Sequence, residues 1–137
     1  MIWTWAAAHR RTLYGLTMVV KFIKETIFSA CSGWHEGKGH KMTRNGDFSR
    51  ALEHYNSALK YSTDDAREAG MLELIARTYA RLGKYEDAIT KAKMSLELFS
   101  KFKDKSALLD NSIHRNQEFI RLLNTKNADE IKDFIFI

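Results

Sequence analysis

The stretch Gly46-Asp47-Phe48-Ser49-Arg50-Ala51-Leu52 returns 37 residues later as Gly83-Lys84-Tyr85-Glu86-Asp87-Ala88-Ile89. Each copy reads Gly, polar, aromatic, two polar residues, Ala, aliphatic. Each Gly stands between two helical patterns, where it admits the left-handed conformation that ends a helix. Asp47 suits the N-cap of the helix that follows. The aromatic and the Ala are three apart and share a helical face. A large residue opposite a small one lets neighbouring helices come close. The flanks match as well: Gly39 with Ala76, Met42 with Tyr79, Tyr55 with Ala92, Ala58 with Ser95 and Leu59 with Leu96. A repeat at this period marks stacked helix pairs, and such stacks usually bind other proteins.

Over Trp34–Ser100 this pattern resembles the tetratricopeptide repeat, a helix-turn-helix unit that alternates small and large residues. Gly46, Phe48, Ala51, Tyr55, Ala58, Ala76, Tyr79, Gly83, Tyr85 and Ala88 carry the resemblance. It implies an all-α fold of antiparallel helix-turn-helix repeats in a right-handed superhelix. It also implies that the first helix of each unit lines a concave groove. The family's groove positions fall on Glu36, His40, Thr43 and Arg44 in the first copy. In the second they fall on Glu73, Arg77, Ala80 and Arg81, and Asp110 and His114 extend the row. Residues 36, 40 and 44 share a helical face, as do 73, 77 and 81. The resemblance therefore implies a groove whose arginines take acidic side chains or a terminal carboxylate. The bland reading of these arginines is a solvated face with pairs such as Glu73–Arg77. The Lys/Asn clamp with which some members grip chaperone tails has no counterpart in Glu36, His40, Glu73 and Arg77.

The chain departs from the family in three ways. The period exceeds the usual ~34 residues, with the extra length around Ser62–Glu68. There is no Pro anywhere. The first helix of the first copy is weak, offering Trp34, His35 and Lys38 where bulky apolar residues are favoured. The second copy is strong, with Leu72, Ile75, Ala76, Tyr79 and Leu82.

Working outward, periodicity and caps predict helices over 6–31, 34–45, 48–61, 65–82, 85–102, 106–124 and 128–136. Thr63, Asp64 and Asp65 signal the start of the fourth. The sixth, with Leu108, Leu109, Ile113, Phe119, Ile120, Leu122 and Leu123, stands where a third unit would begin, but no Gly-aromatic-Ala motif follows it. Asn127 and Glu130 have capping-box spacing and open a short helix with Ile131, Phe134, Ile135 and Ile137 on its apolar side. This tail reads as a degenerate half-repeat of capping helices. Its rival reading is an apolar tail that docks on a partner. The expected organisation is an N-terminal helix over residues 1–31 and one repeat domain over 32–137.

The 137 residues suit a single domain, and the balance of 45% hydrophobic to 28% charged residues is that of a globular protein. Net charge is +5, and residues 1–44 hold all of the excess, with seven cations against Glu25 and Glu36. Trp3 and Trp5 precede an apolar stripe of Leu13, Leu16, Val20, Ile23 and Ile27, and the first acid is Glu25. Three readings of this segment compete: a cap on the open end of the stack, an interfacial membrane anchor, or a mitochondrial-type targeting segment. The uncharged run Thr12–Val20 is too short to span a bilayer.

No residue pattern points to an enzyme. His9, His35, His40, His54 and His114 contain no i,i+4 pair, and Cys31 stands alone, so no metal site or cofactor is expected. Gly37-Lys38-Gly39 lacks phosphate-loop spacing, and no nucleophile elbow is present. The neutral body argues against nucleic acid. A lone cysteine fits the cytoplasm or another reducing compartment, with peripheral membrane or mitochondrial placement as alternatives. The expected function is a non-enzymatic adaptor that holds a peptide or helix of another protein. The alternatives are a membrane-surface recruiter and a neutralising or chaperoning protein for one client. Self-association through an apolar end is a further expectation.

Overall fold

A computed structural model describes residues 2–102 and 107–136, and side chains within 5–102 and 110–135. The side chains of Trp3, Leu108 and Leu109, and the whole of Ile137, lie outside these limits. The described residues form six helices and no strand: α1 (Ile2–Arg44), α2 (Phe48–Lys60), α3 (Asp65–Arg81), α4 (Tyr85–Ser100), α5 (Ala107–Thr125) and α6 (Ala128–Phe136). The fold is all-α.

The turns follow the local chemistry. Gly46 and Gly83 adopt φ of 76° and 75°, closing α1 and α3 in the left-handed region. Asp47 caps α2 by accepting from the Arg50 N–H at 3.2 Å, and Asp64 caps α3 by accepting from the Arg67 N–H at 2.8 Å. The Asn127 carboxamide oxygen accepts from the Asp129 and Glu130 N–H groups at the start of α6.

One sequence expectation is corrected. α1 runs unbroken through residues 31–34, where two helices were expected. Neither Ser32 nor Gly33 removes a backbone donor as Pro would, so the helix can continue. The Ser32 hydroxyl is buried and donates to the Ala58 carbonyl at 2.9 Å, which holds the helix against α2 at this point.

That hydrogen bond has a counterpart. In the second helix pair the Ser95 hydroxyl donates to the Ala69 carbonyl at 2.8 Å. Ser95 is the repeat partner of Ala58, and Ala69 that of Ser32. The same two positions are bonded in both pairs, with the donor moved from the first helix to the second. Ser95 also accepts from the buried Asn116 carboxamide at 3.0 Å, which ties α5 to the second pair.

Close approach at a small residue sets the spacing within each pair. Gly39 is buried in α1 against the Tyr55 ring, and a Cβ there would lie 2.5 Å from a ring carbon. Ala76 and Ala92 take the equivalent places in α3 and α4, both fully buried. One core cluster gathers Ala51, Tyr55 and Ile75, with Met42, Leu52, Leu59, Leu74 and Tyr79 packed around it. The larger one combines Ala76, Ala80, Ala88 and Ala92 with Phe119, Leu123, Ile131 and Ile135.

The third turn carries the feature that the motif search missed. Lys126 has φ 54°, the same left-handed geometry as the two glycines. Aligned on that residue, Phe119 stands where Gly39 and Ala76 stand, and Ile131 where Ala51 and Ala88 stand. Large and small residues are exchanged, so the pattern vanishes from the sequence while the turn persists. Phe119 stacks on Phe134 at 5.5 Å and 7°. Ile131 and Ile135 are buried, so the apolar face of α6 covers the stack and is not a free docking tail.

Two glycines separated by one residue in α1 are expected to respond in opposite directions. Gly39→Ala should destabilise by about 1–3 kcal/mol through overpacking against a pinned ring. Gly37 is exposed with open space around its Cβ position, so Gly37→Ala should stabilise by roughly 0.5–1 kcal/mol. Urea unfolding of both variants reads the two signs.

Candidate functional site

The first helices of the units, formed by the C-terminal part of α1 and by α3 and α5, present one row of polar side chains. Glu36 and His40 are one turn apart in α1, with His40 Nε2 3.6 Å from Glu36 Oε1. The Tyr55 hydroxyl reaches the same place from α2, sharing hydrogen bonds with Thr43 and His40 Nδ1, each 3.1 Å. Burial pushes the Tyr55 phenol above its ordinary value, opposed by the Thr43 hydrogen bond and by the positive charge of Arg81. Arg44 is exposed in the last turn of α1.

The centre of the row is a cluster of guanidinium groups. Glu73 is only 8% exposed. Its Oε1 accepts from Arg77 at 2.9 Å within α3 and from Arg115 at 2.9 Å across to α5. Arg77 Nε is buried and has no acceptor. Burial lowers the Arg77 pKa from its ordinary value, partly offset by Glu73, and the charge of Arg115 lowers it further. Arg81, one turn along α3, is lowered by burial first and by Arg77 last. Its guanidinium donates to the Ile135 carbonyl of α6 at 3.3 Å and lies 5.6 Å above the Phe48 ring. Two guanidinium groups therefore share one carboxylate, and Arg81 stands one turn beyond Arg77.

Part of this arrangement was expected and part was not. The Glu73–Arg77 pair forms as the i,i+4 spacing allows. Arg81 belongs to the row, but α6 lies across it, with a cleft of about 480 Å³ lined by Phe48, Arg81, Tyr85, Ile131, Lys132 and Ile135 alongside. Asp110 and His114 are exposed, and it is Arg115 that reaches the row. Arg115 and Glu73 are 42 residues apart, so no local spacing announces their contact.

A second cluster joins α1 to α2 farther back. His35 and His54 meet Nδ1 to Nδ1 at 3.2 Å, and His35 stacks on Tyr61 while His54 packs edge-on to Trp34. This is an interhelical contact of two rings. Among the described residues no group of three or more His, Cys, Asp or Glu could hold a metal ion. No family model matches the chain, and no curated protein or solved structure matches it either.

Two outcomes follow from the row. Glu73→Ala leaves the half-buried Arg77 without its carboxylate and releases Arg115, so it should cost about 2 kcal/mol in urea unfolding. The folded state holds the Tyr55 proton above the phenol's ordinary value. Its contribution is complete below about pH 10 and is lost as pH rises through that range. Tyr55→Phe should therefore be less stable than the parent at pH 8, by about 1 kcal/mol, and the gap should narrow toward pH 11.

Proposed function

We propose that this chain is a non-enzymatic interaction module built as tetratricopeptide-like helix pairs, and that its first-helix face holds an acidic segment of a partner protein. The observation that carries the reading is the charge imbalance at Glu73. Arg77 and Arg115 share this one carboxylate, Arg81 stands one turn beyond Arg77 on α3, and burial depresses both Arg77 and Arg81. Like charges gathered in a partly dry site repel one another, and a second carboxylate relieves that repulsion. Guanidinium groups also receive carboxylates in bidentate geometry, which favours Asp, Glu or a chain terminus over other groups.

The scaffold supports the same reading. The repeat-equivalent serine bonds hold α1 to α2 and α3 to α4, and the Tyr55 hydroxyl holds Thr43 and His40, which supports a preformed face. Preformed sites lose little entropy on binding. Glu36 and His40 at one end and Arg44 at the rim give the row a varied polar lining.

A random peptide display library tests the proposal. Selected sequences should be enriched in Asp and Glu, and their binding should weaken steeply between low and high salt. Arg115→Gln keeps the Glu73–Arg77 pair and should cost roughly tenfold in affinity, the value of one charged hydrogen bond. Selection of acid-poor sequences, or binding indifferent to Arg115→Gln, would remove the acidic-ligand assignment.

A further inference from the structure

Among the described residues the N-terminal part of α1 is exposed along its length. Over residues 5–27 every side chain is exposed apart from Ala6, which is half-buried. Leu13, Leu16, Val20, Ile23 and Ile27 are each more than half exposed. They recur at steps of three and four, so they form one stripe along the helix. The cap expected on the open end of the stack is therefore absent here: the stripe covers no part of the helix pairs. The segment extends about 35 Å at 1.5 Å per residue. It contains Gly15 and the β-branched pair Val19-Val20, and a lone helix of this composition is marginal in water.

Charge identifies what covers it. Residues 5–27 carry Arg10, Arg11, Lys21 and Lys24 against Glu25 alone. Arg10, Arg11 and Lys21 point away from the stripe at helical spacing, and Lys24 borders it. Lys21 lies 3.9 Å from Glu25, and Lys24 Nζ lies 5.4 Å from the Phe28 ring centroid. A two-stranded coil with a second copy would bury the stripe. It would also set two helices with three net positive charges each side by side. A negatively charged bilayer surface meets both the apolar stripe and the charge. The stripe enters the acyl boundary, the flanking cations reach the headgroups, and Trp5 on the stripe's face suits the polar interface. Among the described residues no helix is long and apolar enough to cross a membrane, so the contact lies in the plane of the surface.

We propose that residues 5–27 are a docking helix for anionic lipid bilayers. Because α1 is unbroken, the same helix that meets the lipid carries Glu36, His40 and Thr43 of the polar row. A bilayer contact through residues 5–27 thus fixes the orientation of that row relative to the surface, on the side of α1 opposite the stripe.

Flotation of the full chain with vesicles tests this directly. Phosphatidylcholine vesicles with and without 30% phosphatidylserine serve as probes. The chain should float with the mixed vesicles and remain largely at the bottom with phosphatidylcholine alone. Lys21→Glu/Lys24→Glu should reduce flotation by at least about tenfold, since each cation near an anionic surface contributes on that scale. Leu16→Glu/Ile23→Glu should abolish it, and both variants should keep the α2–α6 unfolding transition because these side chains touch none of those helices. The proposal is overturned if the parent chain floats with neither vesicle. It is also overturned if sedimentation equilibrium shows a dimer that Leu16→Glu/Ile23→Glu converts to monomer while flotation is unchanged; a second copy would then be the occupant of the stripe.

Discussion

Close approach of two helices at a small residue is the constraint on which this fold depends. In the first pair a glycine makes room for a tyrosine ring; in the second two alanines meet. That proximity brings a serine hydroxyl within reach of a backbone carbonyl on the neighbouring helix. A bond of this kind contributes about 1 kcal/mol. Its larger effect is on register, because a slide of one helix past the other would leave a buried hydroxyl unpaired. Tyr55 then extends the order outward: its ring fills the space at Gly39 while its hydroxyl holds Thr43 and His40 on the polar row.

The fold was legible where chemistry is local. Gly46 and Gly83 announced two left-handed turns, and Asp47, Asp64 and Asn127 announced three helix starts. The third turn was hidden because Lys126 accepts a conformation that Gly would take at less cost, and because Phe119 and Ile131 reverse the small–large order. Such a change erases the motif from the sequence. The continuity of α1 was missed for a similar reason. The contact that holds Ser32 within the helix is to the distant Ala58 carbonyl, which local pattern does not reveal.

The candidate site was legible in outline. Within α1 the side chains of Glu36 and His40 meet, and within α3 those of Glu73 and Arg77 do, as i,i+4 spacing allows. What spacing could not convey is which polar groups are already engaged. Glu73 is shared by arginines from two helices, and the α6 backbone lies over Arg81. These are long-range contacts with no periodic signature. The N-terminal segment shows the opposite case. Its composition was plain, but whether its stripe faced protein or solvent depended on where α1 leads, which follows from the helix continuing straight through residues 31–34.

The equivalence of the two helix pairs can be measured by moving one hydroxyl. Ser32→Ala should cost about 1–2 kcal/mol in urea unfolding, from loss of a buried hydrogen bond. Ser32→Ala/Ala58→Ser rebuilds in the first pair the arrangement that Ser95 and Ala69 already have in the second. If the pairs share one geometry, the double variant should recover at least half of that loss, a favourable coupling of about 0.5–1 kcal/mol. A double variant as unstable as the sum of its single changes would contradict the account, and the helix pairs would then be similar in sequence without being equivalent in structure.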